Sequence, residues 1–169
     1  MFKQLDLWKA LVAGLFMLVL VAGCNDSDVT EKNVSEPLTQ VVVKGYPNGQ
    51  FIATADDLKK SGVVILDARS ESAYNAGHIP GAINAAWQEF ADSTKNLLPV
   101  NQLEQILGEK GLTRESKIII YDDTTASWGA SGRLFWMFET LGCNWVKILD
   151  GGWDKWIADK NTPETRGNV

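Results

Sequence analysis

The stretch 118–142 reads IIIYDDTTASWGASGRLFWMFETLG and holds a strand, a loop and a helix in direct succession. Ile118 to Tyr121 is an apolar run without polar alternation, the pattern of a strand buried on both faces. Ser127 or a neighbour opens a helix that runs through Leu141, and Gly142 stops it. Val63 to Leu66 (VVIL) and Val146 to Leu149 are two more runs of the same kind. Helical segments fall between them. Asn101 with Glu104 starts one that runs through Lys110 and stops at Gly111. Thr54-Ala-Asp-Asp57 has the form of a capping box ahead of a short helix carrying Leu58. Ala73 to Ala76 makes one helical turn ended by Gly77, and a last helix carries Trp153, Trp156 and Ile157. Val41 to Lys44 and Ala82 to Asn84 read as short strands, and Tyr46 to Gly49 as a turn. Short apolar strands alternating with helices predict an α/β fold around a parallel sheet. In such folds sites form where strand C-termini meet helix N-termini, which directs attention to the loop after Tyr121.

The chain has 169 residues, 45% hydrophobic and 22% charged, which suits a globular protein of one domain or at most two. A net charge of −5 argues against nucleic acid as the main partner, since phosphate neutralisation needs a basic surface. Two cysteines and one histidine are too few for a Cys/His zinc site, and no metal or cofactor is expected. Residues 1–23 read as an address. Lys3 and Lys9 precede an uncharged run, Ala10 to Gly23, too short for a comfortable membrane span and of the length of a signal-peptide core. It ends in Val21-Ala22-Gly23-Cys24, which resembles the lipobox of bacterial lipoproteins. That resemblance implies cleavage before Cys24, acylation of Cys24 and anchorage to a bilayer of the bacterial cell envelope, facing the periplasm or exterior. Several acyl chains at about 0.8 kcal/mol per buried CH₂ make a stable anchor. Residues 24–40 are polar and aperiodic and read as a tether, leaving 41–169 as the folded domain.

Two further strings carry a second resemblance. Leu66 to Ala82 (LDARSESAYNAGHIPGA) is similar to the first signature of the rhodanese family. Ile120-Tyr-Asp122, Gly129, Arg133, Trp136 and Met137, followed by Leu149 to Trp153 (LDGGW), resemble its second half, so that the likeness covers roughly residues 50 to 163. It implies a three-layer α/β domain with about five parallel strands. It also implies transfer of sulfane sulfur through a cysteine persulfide. A thiolate does that work, and positive potential from helix N-terminal amides lowers its pKa and holds the anionic donor. At the position of the family's cysteine this chain has Asp122, followed by Asp123, and no cysteine lies between Tyr121 and Arg133.

The segment is also longer than the six-residue loop of active members. It is similar to the non-catalytic N-terminal domain of tandem thiosulfate and 3-mercaptopyruvate sulfurtransferases, which implies a second rhodanese domain as partner, in cis or in trans. A stand-alone envelope module that binds a ligand or partner is the other expectation. The degenerate loop then comprises Asp122, Asp123, Ser127, Gly129 and Arg133, and Arg133 is expected to neutralise one of the two aspartates. Asp67 and Arg69 are expected to pair and tie loops together, with the arginine reaching the loop mouth. Gly77, His78, Pro80 and Gly81 form a tight structural turn, and Asp150, Gly151, Gly152 and Trp153 complete the structural signature. Trp136, Trp145, Trp153 and Trp156 are expected in the core or at a domain interface. Cys143, between Gly142 and the Val146 strand, reads as an inert, partly buried thiol.

Overall fold

A computed structural model describes residues 45–165. The run Val41 to Lys44, the tether and Cys24 lie outside the described residues. The described part belongs to one compact unit, Thr39–Val169. Five strands, β1 (Ile52–Ala53), β2 (Val63–Asp67), β3 (Ile83–Asn84), β4 (Lys117–Tyr121) and β5 (Val146–Leu149), form one sheet in the order β1-β5-β4-β2-β3. Every pairing is parallel, and Ile119 of β4 lies opposite Ile65 of β2 and Lys147 of β5.

The central strand explains the layering. Ile118 and Ile120 face one way, Ile119 and Tyr121 the other, because successive side chains of a strand alternate. The first pair joins a core with Leu103 and Leu107 of α2 (Val100–Glu109) and Leu134, Met137 and Phe138 of α3 (Ala130–Thr140). The second pair packs with Ile65, Ile79 and Leu149 beneath Tyr74 of α1 (Glu71–Ala76) and Trp153 and Trp156 of α4 (Gly152–Ala158). The fold is therefore a three-layer α/β domain with a five-stranded parallel sheet.

Helix ends follow from backbone chemistry. After α2 the Gly111 amide donates to Gly108 O and the Leu112 amide to Leu107 O, with Gly111 at φ +74°. After α3 the pattern repeats through Gly142 (φ +79°), with Cys143 donating its amide to Phe138 O. Both are Schellman motifs, in which the residue after the glycine turns inward onto the last helical turn. That is why Cys143 is buried, in the same core as Phe138, and burial pushes its thiol pKa up. Three expectations are refined. The Thr54–Asp57 pair caps a single 3₁₀ turn, Asp57–Lys59, and not an α-helix: Asp57 Oδ2 accepts from the Thr54 amide at 2.7 Å and hydroxyl at 3.0 Å. α1 begins earlier than Ala73, because Ser70 Oγ accepts the Ala73 amide at 3.3 Å. Trp136 is neither core nor covered; it is 57% exposed on the outer face of α3.

Candidate functional site

The C-terminal ends of β2, β4 and β5 meet over the N-termini of α3 and α4, and the signature residues gather there. Asp122 follows β4 directly and is buried. Its Oδ2 accepts from Ser131 N at 2.9 Å and from Ser127 Oγ at 2.7 Å. Ser127 Oγ in turn accepts the amides of Gly129 and Ala130, both at 3.1 Å. The amides that open α3, which in a helix N-terminus form an anion cradle, are thus taken by the chain's own Asp122 and Ser127. Gly129 stands just before the helix at φ +100°, a conformation suited to glycine.

Asp123 points elsewhere. Its carboxylate lies 3.5 Å from Arg69 Nη1. Burial raises its pKa above the ordinary carboxylate value; Asp154 and Asp67 push the same way and Arg69 opposes them. The remainder of the loop is clamped by Asp154, whose Oδ2 accepts from Thr124 Oγ1, Thr125 Oγ1 and the Thr125 amide, each at 2.8 Å. Gly152 sits against the loop start: a Cβ there would meet Asp122 O at 2.3 Å, and the next amide, Trp153 N, donates to that oxygen at 2.9 Å. Gly151 (φ +70°) precedes α4, and Asp150 Oδ1 accepts from Tyr46 Oη at 2.9 Å.

Asp67 and Arg69 form the polar centre beneath the loop. Asp67 is fully buried and receives the Arg69 amide at 2.9 Å, Arg69 Nε at 3.0 Å and Arg69 Nη2 at 2.6 Å. Tyr121 Oη donates to Asp67 Oδ2 at 2.6 Å and accepts the Ile79 amide at 3.0 Å. Burial, then the Asp67 charge, pushes the Tyr121 phenol well above its ordinary pKa, so it stays a donor. The Arg69 guanidinium lies 4.1 Å from the Trp153 ring centroid and donates to Gly77 O at 2.6 Å. Arg69 therefore ties β2, the 77–81 turn and the loop together.

That turn is built as its residues dictate. Pro80 and Gly81 (φ +77°) occupy the central positions of a turn closed by Ala82 N to Ile79 O at 2.9 Å, the type II arrangement. His78 is buried, stacks on Tyr74 with centroids 3.8 Å apart, and donates from Nδ1 to Tyr74 O at 2.9 Å.

One expectation is overturned by the geometry. Arg133 neutralises neither aspartate. Its guanidinium lies over the Trp87 ring at 4.6 Å and donates to Lys95 O. A carbonyl and an indole face hold it there, and the same indole packs edge-on against Trp128. Sequence reasoning also missed Asp154, Ser131 and Tyr121. Asp154 had a faint signal as a carboxylate in the first turn of a helix after Gly-Gly, a position where anions are favoured.

The family description "Rhodanese-like domain" matches residues 53–159. A thiosulfate sulfurtransferase of Pseudomonas aeruginosa is 33% identical over 107 residues, which are 57% of this chain and 36% of that protein. One of Corynebacterium glutamicum is 27% identical over 106 residues, 61% of this chain and 35% of that protein. The crystal structure of Escherichia coli SseA, described under the fold and mechanism of 3-mercaptopyruvate sulfotransferases, superposes with a TM-score of 0.62 at 26% identity, covering 70% of this chain and 51% of that one. Alr3790 from Anabaena shares the fold with a TM-score of 0.52 at 24% identity, and 84% of that chain is covered. The chain spans about a third to a half of the length of the sulfurtransferases it matches.

Proposed function

The chain belongs to the rhodanese-like domain family, and from that premise we propose that it is a non-catalytic sulfurtransferase domain. On this reading it supports a catalytic rhodanese domain, in cis or in trans, within a lipid-anchored thiosulfate or 3-mercaptopyruvate sulfurtransferase. The observation that carries the proposal is the carboxylate of Asp122 in the α3 cradle, bonded to Ser131 N at 2.9 Å.

Sulfur transfer needs a thiolate that attacks the outer sulfur of thiosulfate. The S–S bond of the donor breaks, sulfite leaves with the bonding pair, and the acceptor then takes the sulfur from the persulfide and frees the thiolate. A carboxylate oxygen forms no persulfide. Asp122 also fills the amides that would hold the donor, and Asp123 adds a second negative charge beside it. Among the described residues the one thiol, Cys143, lies at the opposite end of α3 and is buried with a raised pKa. Raising the pKa lowers the thiolate fraction and removes reactivity.

Exposed aromatic surface supports the need for a partner. Trp128 is 68% and Trp136 57% exposed, on the loop before α3 and on α3 itself. Exposed aromatics mark an interaction surface where they join into one apolar patch.

A thiosulfate-to-cyanide assay on the purified chain tests the proposal. Thiocyanate formation is expected to stay at the uncatalysed rate. Turnover, above all turnover that survives Cys143→Ala, overturns it. For the anchor, the intact mass of detergent-extracted protein is expected to correspond to a chain starting at Cys24 with acyl chains attached, and an unmodified Cys24 overturns that part.

A further inference from the structure

α4 ends in a third Schellman turn. Lys160 stands at φ +59°, its amide donates to Ile157 O at 2.9 Å, and Asn161 N donates to Trp156 O at 3.3 Å. The turn sends the following residues back across the 77–81 turn, where Glu164 is held at several points. Its amide donates to His78 O at 2.9 Å and its carbonyl accepts from His78 N at 2.8 Å, a two-bond antiparallel bridge. Its carboxylate Oε2 accepts the Gly81 amide at 3.0 Å and lies 3.9 Å from His78 Nε2. Beside it, Pro163 and Trp153 line the approach to Gly77.

The Gly77 carbonyl is also where Arg69 Nη2 is anchored, and Arg69 Nη1 faces Asp123. We infer that the segment 161–165 is a displaceable strap that latches the 77–81 turn through Glu164 and so fixes Arg69, and with it the Asp123 loop, in one position. Most of its polar hold on the turn comes from Glu164, whose side chain is half-exposed. Glu164 is a positioning residue in this device: it reaches the loop through His78, Gly77 and Arg69 and touches nothing in the loop itself. The inference goes beyond the proposed function and stands whether or not the chain transfers sulfur.

Hydrogen–deuterium exchange of the full chain tests it, comparing wild type with Glu164→Ala and Glu164→Gln. In Glu164→Ala, amides of 77–82 are expected to exchange about tenfold faster and those of 123–129 a few-fold faster, as local opening becomes easier. Glu164→Gln keeps an oxygen for the Gly81 amide and is expected to recover most of the protection in both segments. Tryptic cleavage after Lys160 is expected to accelerate in the alanine variant. Faster exchange confined to 161–165, or no change at all, overturns the latch, since a local tail contact would move nothing in the loop.

Discussion

Tyr121 shows how much of the site rests on single polar groups in an apolar layer. Its hydroxyl gives a bond to Asp67 and takes one from the Ile79 amide, and all three partners are buried. Tyr121→Phe removes one oxygen of modest volume, yet it strands a buried amide and takes a donor from a buried carboxylate. Leaving such a group unpaired costs about 1–3 kcal/mol. Chemical denaturation is expected to show a loss in that range, most of it as a shift of midpoint at unchanged slope. A loss below a few tenths of a kcal/mol would mean that water replaces the phenol. The side chain was legible in the sequence only as the last residue of an apolar strand. Its bond to Asp67 joins residues 54 positions apart and depends on β2 and β4 being neighbours in register, which no local pattern encodes.

At the scale of elements, the difference between what was and was not legible has the same origin. β2, β4, β5 and the two longer helices could be read because continuous apolar runs and glycine stops are local signals. β1 could not: with two residues it is defined by its pairing to Ile148 and Leu149 and by nothing in its own composition. Asp122 in place of a cysteine was legible as a residue, but its seat on the Ser131 amide was not. Arg133 was misread because its partners, Trp87 and the Lys95 carbonyl, come from a distant loop.

Two predictions belong to this scale. α2 and α3 stop on glycine at the left-handed position, whereas α4 stops on Lys160 there, a strained choice for a side chain bearing Cβ. Lys160→Gly is expected to stabilise the domain by about 0.5–1 kcal/mol, the relief of strain exceeding the added chain entropy of glycine. Calorimetry would show it as a higher Tm, and a lower Tm would mean the lysine stem packs usefully.

The second concerns Asp154 of α4 and Asp123 of the loop, two carboxylates that titrate in opposite senses. Hydrogen bonds from Thr125 and Thr124 hold Asp154 below the ordinary carboxylate value of 3.8. Its stabilisation is complete above that value and is lost as pH falls through the lowered one. Asp123 is raised above 3.8, chiefly by burial, so its charged form weighs against the fold and the cost appears as pH rises through the raised value. Asp154→Asn is therefore expected to lower Tm at pH 7 and Asp123→Asn to leave it equal or higher, and both differences from wild type should close in acid. Thermal melts from pH 2 to pH 8 read both; an Asp154 gap that does not begin to narrow below pH 3.8, or an Asp123 gap that persists at pH 2, would contradict the assignment.

For the whole molecule, the question that the proposed function raises is what a cysteine at position 122 would do. The fold is that of the family, and Asp122 Oδ2 accepts the Ser131 amide at 2.9 Å, so Asp122→Cys would put sulfur near that amide. Position, however, is only part of what a nucleophilic thiol requires. The residue at 122 is 6% exposed, and burial raises a thiol's pKa. Asp123 stands next to it, and its charge raises that pKa further. The cation that would oppose both, Arg69, is spent on Asp67 at 2.6 Å and shares its other arm with Asp123. Arg133 points away to Trp87. The Thr124–Thr125 segment beside it is pinned by Asp154. Asp122→Cys is thus expected to fold, to react with iodoacetamide at pH 7 more slowly than a free cysteine, and to yield no thiocyanate. Adding Asp123→Ala should speed the alkylation by removing the adjacent charge, without producing turnover while Arg69 stays bonded to Asp67. Rapid thiocyanate formation by the single variant would mean that sulfur at position 122 is all that turnover requires, and that neither the burial of residue 122 nor the charge of Asp123 stands in its way.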